Sequence, residues 1–429
     1  MLETALEPDR ALLIQTIVRD VDRNRDRAER LADELDHLAR GAGLEVAALQ
    51  LLTIPRIHPG TFLGKGRVEI IRDEVKTLEV TVVVFNHALT PVQQRNLEEV
   101  LQAKVVDRTG LILEIFAARA RTKEGTLQVE LASLLYQQSR LVRTWTHLER
   151  QRGGVGLRGG PGETQIEVDR RLIREKVTRL KKQLGQVERT RTLQRQSRKD
   201  VPFFTATLVG YTNAGKSTLF NRLTEAKVYA ADQLFATLDP TMRGLTLPNG
   251  ERVILSDTVG FIRALPHQLV AAFRATLEEV LTADLLLHVV DLSDPQWREQ
   301  EEAVMEVLRD LGAGDRPMVT LFNKVDCIRE DQGGLLSRLE SRSDALLLSA
   351  TTGKGIDPLL DKLAEAAQQG STLYHLDLPA TDGAFLAKLC QEGRVVERLE
   401  VEDRIHLSVS LSQTISGRLR QEIEAYRRF

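Results

Sequence analysis

Cysteine and long apolar segments are both scarce in this sequence of 429 residues. Its two cysteines, Cys327 and Cys390, lie far apart, which argues against a disulfide scaffold and favours the reducing cytosol. No run of about 18 apolar residues occurs, so we expect no membrane-spanning helix. The acidic and polar N-terminus is not typical of a signal peptide. We therefore predict a soluble, cytoplasmic protein that is long enough to contain several domains.

Positive charge is concentrated in one segment, although the formal net charge is −2. Residues 108–200 contain 21 Lys and Arg but 10 Asp and Glu, a surplus of 11, so the rest of the chain sums to −13. A basic segment joined to an acidic remainder indicates contact with a polyanion, most often a nucleic acid.

A glycine-rich loop with the pattern G-x-x-x-x-G-K-[ST] follows an apolar run at residues 207–209 and precedes a helix start at 217–223. Its glycines let backbone N–H groups point at phosphate oxygens, and the helix N-terminus adds partial positive charge. We expect Lys216 to reach the β- and γ-phosphates and the Ser217 hydroxyl to hold Mg²⁺. The predicted nucleotide-binding residues of this loop are Gly210, Tyr211, Thr212, Asn213, Ala214, Gly215, Lys216, Ser217 and Thr218.

Two further motifs form the predicted base-binding site, and the first of them selects guanine. Asp326 ends an N-K-x-D motif after the strand-like run 318–322, and its carboxylate can accept two parallel hydrogen bonds from guanine that adenine does not supply. A short S-A-T segment follows the apolar run 345–348, and its backbone would contact the guanine O6. The predicted base-binding residues are Asn323, Lys324, Val325, Asp326, Ser349, Ala350 and Thr351.

Two other segments predict contact with the γ-phosphate and the metal. A D-x-x-G motif follows the strand-like run 252–256, and the N–H of its glycine would sense the γ-phosphate. A segment without helical periodicity would bring Thr237 to Mg²⁺ when GTP is bound, with Thr241 as the alternative. The predicted residues are Asp257, Thr258, Val259 and Gly260 in the first, and Phe235, Ala236, Thr237, Leu238 and Asp239 in the second.

Phe261 occupies the position where many GTPases carry a water-orienting glutamine. Because a phenyl ring cannot position a nucleophilic water, we expect slow intrinsic hydrolysis and leave the catalytic residue unassigned. The water would be placed by the backbone, another side chain or a partner, including an arginine supplied in trans. Arg263 is a candidate in cis, although we favour a solvated arginine there.

The segment before residue 108 predicts a small α/β unit with a mostly parallel sheet. Its expected elements are strands at 11–18, 46–54, 80–85 and 104–106, and helices at 22–40, 68–77 and 91–102. Thr90 is the expected N-cap of the last helix. Gly64-Lys65-Gly66-Arg67 precedes the second helix and indicates either a second anion site or a plain turn.

Two long helices, 123–148 and 163–198, predict a hairpin whose apolar stripe includes Val177, Leu180 and Leu184. The flexible connector between them carries two arginines on a glycine-rich backbone that would contact phosphates or unpaired bases. A solvated coiled coil and a disordered linker are the alternatives. The predicted RNA-contacting residues are Arg152, Gly153, Gly154, Gly156, Arg158, Gly159 and Gly160.

Several of these motifs together resemble the HflX branch of the Obg–HflX GTPases: residues 107–114, 144–150 with the following glycine-rich loop, 163–165, 210–218 and 235–241. The resemblance covers about residues 10–370. We expect an α/β multidomain protein made of an α/β domain (1–107), a basic helical hairpin (108–200), a P-loop GTPase domain with a mostly parallel sheet and helices on both faces (201–370), and an α+β domain (371–429).

The resemblance implies a factor that binds the large ribosomal subunit and its ribosomal RNA. We also expect a monomer that uses GTP, GDP and Mg²⁺. Such proteins split stalled or idle ribosomes under stress, and the ribosome stimulates their GTP hydrolysis. Two alternatives remain open from the residues themselves. One is a signalling GTPase that recruits a protein through the hairpin, and the other is an ATP- or GTP-dependent RNA remodeller.

Overall fold

The computed structural model describes residues 8–18, 25–151, 165–198, 203–225, 235, 237, 241–263, 279–328, 333–369 and 371–427. The chain divides into two compact units. The first contains residues 1–186 with 231–239 and 264–275, and the second contains 187–230, 240–263 and 276–429. The four-part division expected from the sequence stays a prediction.

A four-stranded sheet with strand order β2-β1-β3-β4 and parallel neighbours organises the first unit. Its elements are β1 (Arg10–Val18), α1 (Arg25–Gly41), β2 (Glu45–Ile54), α2 (Lys65–Thr77), β3 (Val82–Phe85), α3 (Pro91–Leu101) and β4 (Lys104–Asp107). The predicted parallel sheet is confirmed. Thr90 caps α3 as predicted, because its hydroxyl accepts a hydrogen bond from the backbone N–H of Gln93.

Helix α2 begins earlier than the sequence predicts. It starts at Lys65, so Gly66 and Arg67 lie in its first turn and not in a loop before it. Gly64 is the N-cap residue and makes no side-chain cap hydrogen bond. Val68, Ile71 and Val75 bury one face of the helix, and this packing outweighs the weak helix propensity of glycine.

Helices α4 (Arg108–Arg119) and α5 (Lys123–Gln151) belong to the first unit, and so does α6 (Gln165–Arg198) as far as Gln186. Helices α5 and α6 pack through a hydrophobic cluster, which confirms the predicted hairpin and its apolar stripe. The buried members of this cluster are Leu131, Leu134, Val177, Leu180 and Leu184.

A buried carboxylate anchors the hairpin to the sheet. Asp107 ends β4 and is 2% exposed. Its Oδ1 accepts hydrogen bonds from the Tyr136 hydroxyl (2.5 Å) and the Gly110 N–H (2.9 Å). Its Oδ2 accepts from Arg140 Nη2 (2.6 Å) and from the Leu89 N–H (3.1 Å). Helix α5 is therefore held at the carboxyl end of β4 by two side chains one turn apart.

The second unit contains a six-stranded sheet with the order β10-β9-β8-β5-β7-β6. All neighbours are parallel except β6, which pairs antiparallel with β7 at the edge. Its strands are β5 (Phe204–Gly210), β6 (Thr241–Thr246), β7 (Arg252–Asp257), β8 (Leu285–Asp291), β9 (Met318–Asn323) and β10 (Ala345–Leu347). Its helices are α7 (Lys216–Thr224), α8 (Trp297–Asp310), α9 (Gly333–Glu340) and α10 (Ile356–Gln369). The predicted mostly parallel sheet is confirmed.

The same unit also contains a three-stranded antiparallel sheet with the order β11-β13-β12. Its elements are β11 (Ser371–Pro379), α11 (Gly383–Glu392), β12 (Arg394–Val401), β13 (Arg404–Ser412), α12 (Gln413–Arg418) and α13 (Arg420–Tyr426). Leu407, Val409 and Leu389 lie in its buried core, as expected for an α+β unit. Within the described ranges, no helix is both long enough and apolar enough to cross a membrane.

Candidate nucleotide-binding site

The glycine-rich loop lies at the carboxyl end of β5, in the middle of the six-stranded sheet. Neighbouring atoms leave no room for a side chain at either of its two glycines. A Cβ on Gly210 (φ 152°) would lie 2.2 Å from the carbonyl oxygen of Val289, and a Cβ on Gly215 (φ 94°) would lie 2.2 Å from Asn323 Nδ2. Helix α7 starts immediately afterwards at Lys216, so the loop leads into a helix N-terminus that favours anions.

Lys216 is buried beneath this loop. Its ammonium group donates hydrogen bonds to the carbonyl oxygens of Gly210 (3.1 Å) and Tyr211 (2.7 Å). Burial lowers the pKa of Lys216 to about 8, and nearby Asp257 acts in the opposite direction. A Cβ on Gly260 would lie 3.0 Å from the Lys216 Nζ and 2.8 Å from the Thr212 Cα, so glycine at position 260 keeps this space open.

Ser217 and Asp257 come together although they are 40 residues apart. Ser217 opens α7, Asp257 ends β7 with a fully buried side chain, and their Oγ and Oδ2 atoms are 2.7 Å apart. A hydroxyl and a carboxylate are hard oxygen ligands of the kind that Mg²⁺ takes alongside water and phosphate oxygens. The described residues contain no group of three or more His, Cys, Asp or Glu side chains arranged to hold a metal. The donor set therefore fits a metal whose remaining ligands come from a nucleotide and water.

The segment around Phe261 is joined to the glycine-rich loop by backbone hydrogen bonds. The Phe261 N–H donates to the Gly210 carbonyl (3.0 Å), and the Thr212 N–H donates to the Phe261 carbonyl (2.8 Å). The Phe261 ring itself is 2% exposed. Its side chain therefore belongs to the protein interior, which agrees with the expectation that it does not orient water.

Arg263 differs from the interpretation favoured by the sequence, which was a solvated side chain. Its guanidinium pairs with Glu299 at 2.9 Å, and its side chain is 14% exposed. Its backbone N–H donates to the Tyr211 hydroxyl at 3.0 Å. The solvated interpretation is wrong because α8, which carries Glu299, packs close enough to cover and neutralise the guanidinium.

Asn323 joins the glycine-rich loop to the S-A-T segment. Its Nδ2 donates to the Ala214 carbonyl (2.8 Å), and its Oδ1 accepts from the Ala350 N–H (2.9 Å). Asp326 lies exposed three residues later, and a hydrogen bond from the buried Ser349 holds its pKa below the usual value. Lys324 Nζ pairs with Asp291 Oδ2 at 2.7 Å. The two predicted base-binding motifs are thus adjacent at the carboxyl ends of β9 and β10.

Sequence reasoning missed Arg222, which lies outside every motif. From α7, its Nε donates to the carbonyl of Ala350 (2.6 Å), and its Nη2 donates to the carbonyl of Thr351. An arginine six residues after the motif lysine carries no recognisable signal in the sequence. Its role depends on where α7 lies relative to the S-A-T segment.

The remaining predicted residues are only partly described. Phe235 packs its ring edge-on against Phe116 of α4, with 4.6 Å between centroids, while Ala236, Leu238 and Asp239 lie outside the described residues. Thr241 begins β6 and faces Asp257 in the antiparallel ladder. The predicted RNA-contacting residues also lie outside the described residues: Arg152, Gly153, Gly154, Gly156, Arg158, Gly159 and Gly160.

Three known families match successive parts of the chain. Residues 29–117 match the family described as GTP-binding GTPase N-terminal, and residues 119–198 match GTP-binding GTPase Middle Region. Residues 205–324 match the family described as 50S ribosome-binding GTPase. The last of these spans the glycine-rich loop, the D-x-x-G motif and Asn323.

The chain is similar to curated proteins over nearly its whole length. GTPase HflX of Magnetococcus marinus is 60% identical over 424 residues, which cover 99% of this chain and 97% of that protein. GTPase HflX of Escherichia coli is 49% identical over 374 residues, or 86% and 87% of the two chains. A GTP-binding protein of Sulfolobus solfataricus in complex with GDP is 24% identical, with 84% and 99% coverage and a TM-score of 0.46.

Proposed function

This chain belongs to the HflX family of GTPases, and from that membership we propose that it binds the large ribosomal subunit and dissociates stalled or idle ribosomes. Such a factor would act in the cytoplasm and be called on under stress. The match of residues 205–324 to a family described as 50S ribosome-binding GTPase supports the choice of partner. The basic hairpin anchored through Asp107 is the observation that carries the proposal, because it couples a polyanion-binding arm to a GTPase chain.

The nucleotide would occupy the carboxyl edge of the six-stranded sheet. The loop from Gly210 to Thr218 would hold the phosphates, and Lys216 would exchange its two backbone carbonyl partners for phosphate oxygens. Asp326 and the S-A-T segment would hold guanine. Ser217 would be a metal ligand, with Thr237 joining it in the GTP state. Mg²⁺, when bound, would neutralise charge on the phosphate oxygens.

Hydrolysis requires a water-positioning group, and neither Phe261 nor Arg263 is free to provide it in this structure. Phe261 is buried and its backbone is committed to the glycine-rich loop. Arg263 is engaged with Glu299. This arrangement supports slow hydrolysis by the isolated protein, and we expect the large subunit to accelerate it. GTP would favour tight docking of the arm on ribosomal RNA, and hydrolysis would release the protein.

A rate comparison and a binding comparison test this proposal. GTP turnover is measured with and without purified large subunits, and cosedimentation is measured with a non-hydrolysable GTP analogue and with GDP. We expect large subunits to accelerate turnover and the GTP analogue to strengthen cosedimentation. Equal binding in both nucleotide states would contradict the switch, and ATP turnover that survives Asp326→Ala would favour the RNA remodeller.

Ribosome splitting needs a separate assay. Intact ribosomes are incubated with the protein and GTP, and subunits are separated on a gradient. Replacing residues 152–160 by a short serine linker removes both tip arginines and should abolish splitting without changing intrinsic GTP turnover. Lys216→Ala, which should abolish tight nucleotide binding, is the matched control. Binding that weakens steeply as salt rises indicates docking on RNA, whereas a mild slope indicates recruitment of a protein.

A further inference from the structure

Arg222 contacts two successive backbone carbonyls of a segment that begins 127 residues later in the chain. Its Nε lies 2.6 Å from the Ala350 oxygen, and its Nη2 donates to the Thr351 oxygen. The planar guanidinium has donors in a fixed fork, so one arginine can hold two neighbouring carbonyls in one geometry. A lysine ammonium has no such fork.

The chain leaves space for this guanidinium at Gly353. This residue has φ 91°, which disfavours other residues, and a Cβ there would lie 2.9 Å from Arg222 Nη1. The turn is closed by the Gly353 N–H, which donates to the Ser349 carbonyl at 2.9 Å. The absence of a side chain at position 353 therefore leaves the room that the Arg222 guanidinium occupies.

Arg222 and Asn323 hold the same segment from two sides. Asn323 Oδ1 accepts from the Ala350 N–H, while Arg222 binds the Ala350 carbonyl. The neighbouring Ser349 hydroxyl accepts from the Thr352 N–H at 3.0 Å. The backbone of residues 349–351, which would face the guanine O6, is thus positioned by side chains from α7 and β9.

We propose that Arg222 is a positioning residue for guanine recognition, which fixes the backbone of residues 349–353 so that it contacts the O6 of the base. This inference rests on the proposed placement of guanine beside Asp326 and the S-A-T segment. Arg222 does not touch the nucleotide; it acts through the carbonyls that it binds. Its removal should therefore weaken the O6 contact and leave recognition of the 2-amino group by Asp326 intact.

The test measures dissociation constants of GDP, IDP and 6-thio-GDP by calorimetry for the full chain and its variants. IDP keeps O6 but lacks the 2-amino group, and 6-thio-GDP replaces O6 by a weaker acceptor. Arg222→Met should weaken GDP and IDP by the same factor of about ten, as expected for losing two hydrogen bonds in a partly exposed site. The penalty for 6-thio-GDP relative to GDP should shrink. Arg222→Lys should regain part of the lost affinity for GDP and IDP. Gly353→Ala should weaken the binding of both nucleotides as Arg222→Met does.

Two controls separate this inference from its premise and from unfolding. Arg309→Met removes an exposed arginine of the same unit whose Nε contacts the Met305 carbonyl, and it should leave all three constants unchanged. Asp326→Asn should remove the preference for GDP over IDP; an unchanged preference would overturn the base site itself. If that preference is lost but Arg222→Met leaves GDP binding unchanged, or weakens GDP and 6-thio-GDP equally, the positioning role is overturned.

Discussion

The hydroxyl of Ser217 and the carboxylate of Asp257 are hydrogen-bonded, with 2.7 Å between Oγ and Oδ2. Ser217 lies at the start of α7 and Asp257 at the end of β7, so this bond ties the glycine-rich loop to the D-x-x-G motif. Both oxygens are candidates for the shell of one Mg²⁺ ion. A metal bound with a nucleotide would take over the Ser217 oxygen, so metal binding and the link between the two motifs are coupled.

Ser217→Ala should weaken GTP binding in Mg²⁺ by about 10- to 100-fold, because the variant loses a metal ligand and leaves a buried carboxylate without its hydroxyl partner. The affinity measured with EDTA in place of Mg²⁺ should change much less. Nucleotide titrations under both conditions give the two values. Ser293→Ala is the matched control, because Ser293 donates to Asp291 in an exposed turn. An equal loss with and without Mg²⁺ would count against Ser217 as a ligand.

GDP binding should take up a proton between about pH 8 and 9. Burial lowers the pKa of Lys216 to about 8 in the nucleotide-free protein, so a growing fraction is neutral as the pH rises above 8. Bound phosphates favour the charged ammonium and raise this pKa, so binding requires protonation and the affinity falls as the pH rises. Calorimetry in buffers of different ionisation enthalpy measures the uptake. The uptake should shrink as the pH falls towards 7, where Lys216 is already charged before GDP binds; an uptake that stays constant between pH 7 and 9 would assign the proton to another group.

His288 should make the second unit sensitive to acid. It is 1% exposed on β8, and neither ring nitrogen has a hydrogen-bond partner among the described residues. Burial, with Lys216 and Arg342 nearby, lowers its pKa to about 4 from 6.5. The unfolded chain therefore binds a proton that the folded chain does not, and stability is lost as the pH falls from about 6.5 towards 4. Between pH 7.5 and 5 this amounts to about 2 kcal/mol.

Urea unfolding at pH 7.5 and 5 checks the His288 prediction. His288→Leu should reduce the loss of stability at the lower pH by about 2 kcal/mol, because leucine does not titrate and no hydrogen bond is given up. His375→Leu, which changes an exposed histidine of the same unit, should keep the full pH dependence. If both variants lose stability equally between the two pH values, another group causes the acid sensitivity.

The sequence predicts the fold well where local patterns decide it. Apolar runs before the motifs became strands β5, β7, β9 and β10, because a buried parallel strand needs continuous apolar residues. The apolar stripe around Leu180 became the contact between α5 and α6. In these places the hydrophobic periodicity agrees with the observed burial, so the element can be predicted from the sequence alone.

Contacts between distant segments could not be predicted in the same way. The bond between Arg222 and Ala350 depends on the packing of α7, and the pairing of Arg263 with Glu299 depends on the position of α8. The start of α2 at Lys65 was missed because Gly66 is a poor helix former, and burial of Val68 decides the outcome. Sequence motifs identify candidate residues, whereas tertiary packing determines which residues contact them.

The carboxylate of Asp107 should control ribosome binding without contributing to GTP turnover. It accepts hydrogen bonds from Tyr136 and Arg140 of α5, so Asp107→Asn replaces a charged partner of a largely buried guanidinium by a neutral amide. We expect a looser anchor for the hairpin and cosedimentation with large subunits weakened at least about tenfold, with intrinsic GTP hydrolysis unchanged. Asp377→Asn breaks a more exposed Asp–Arg pair, with Arg404 on β13, and should leave both measurements unchanged. Wild-type cosedimentation by Asp107→Asn would show that ribosome binding does not depend on a fixed hairpin.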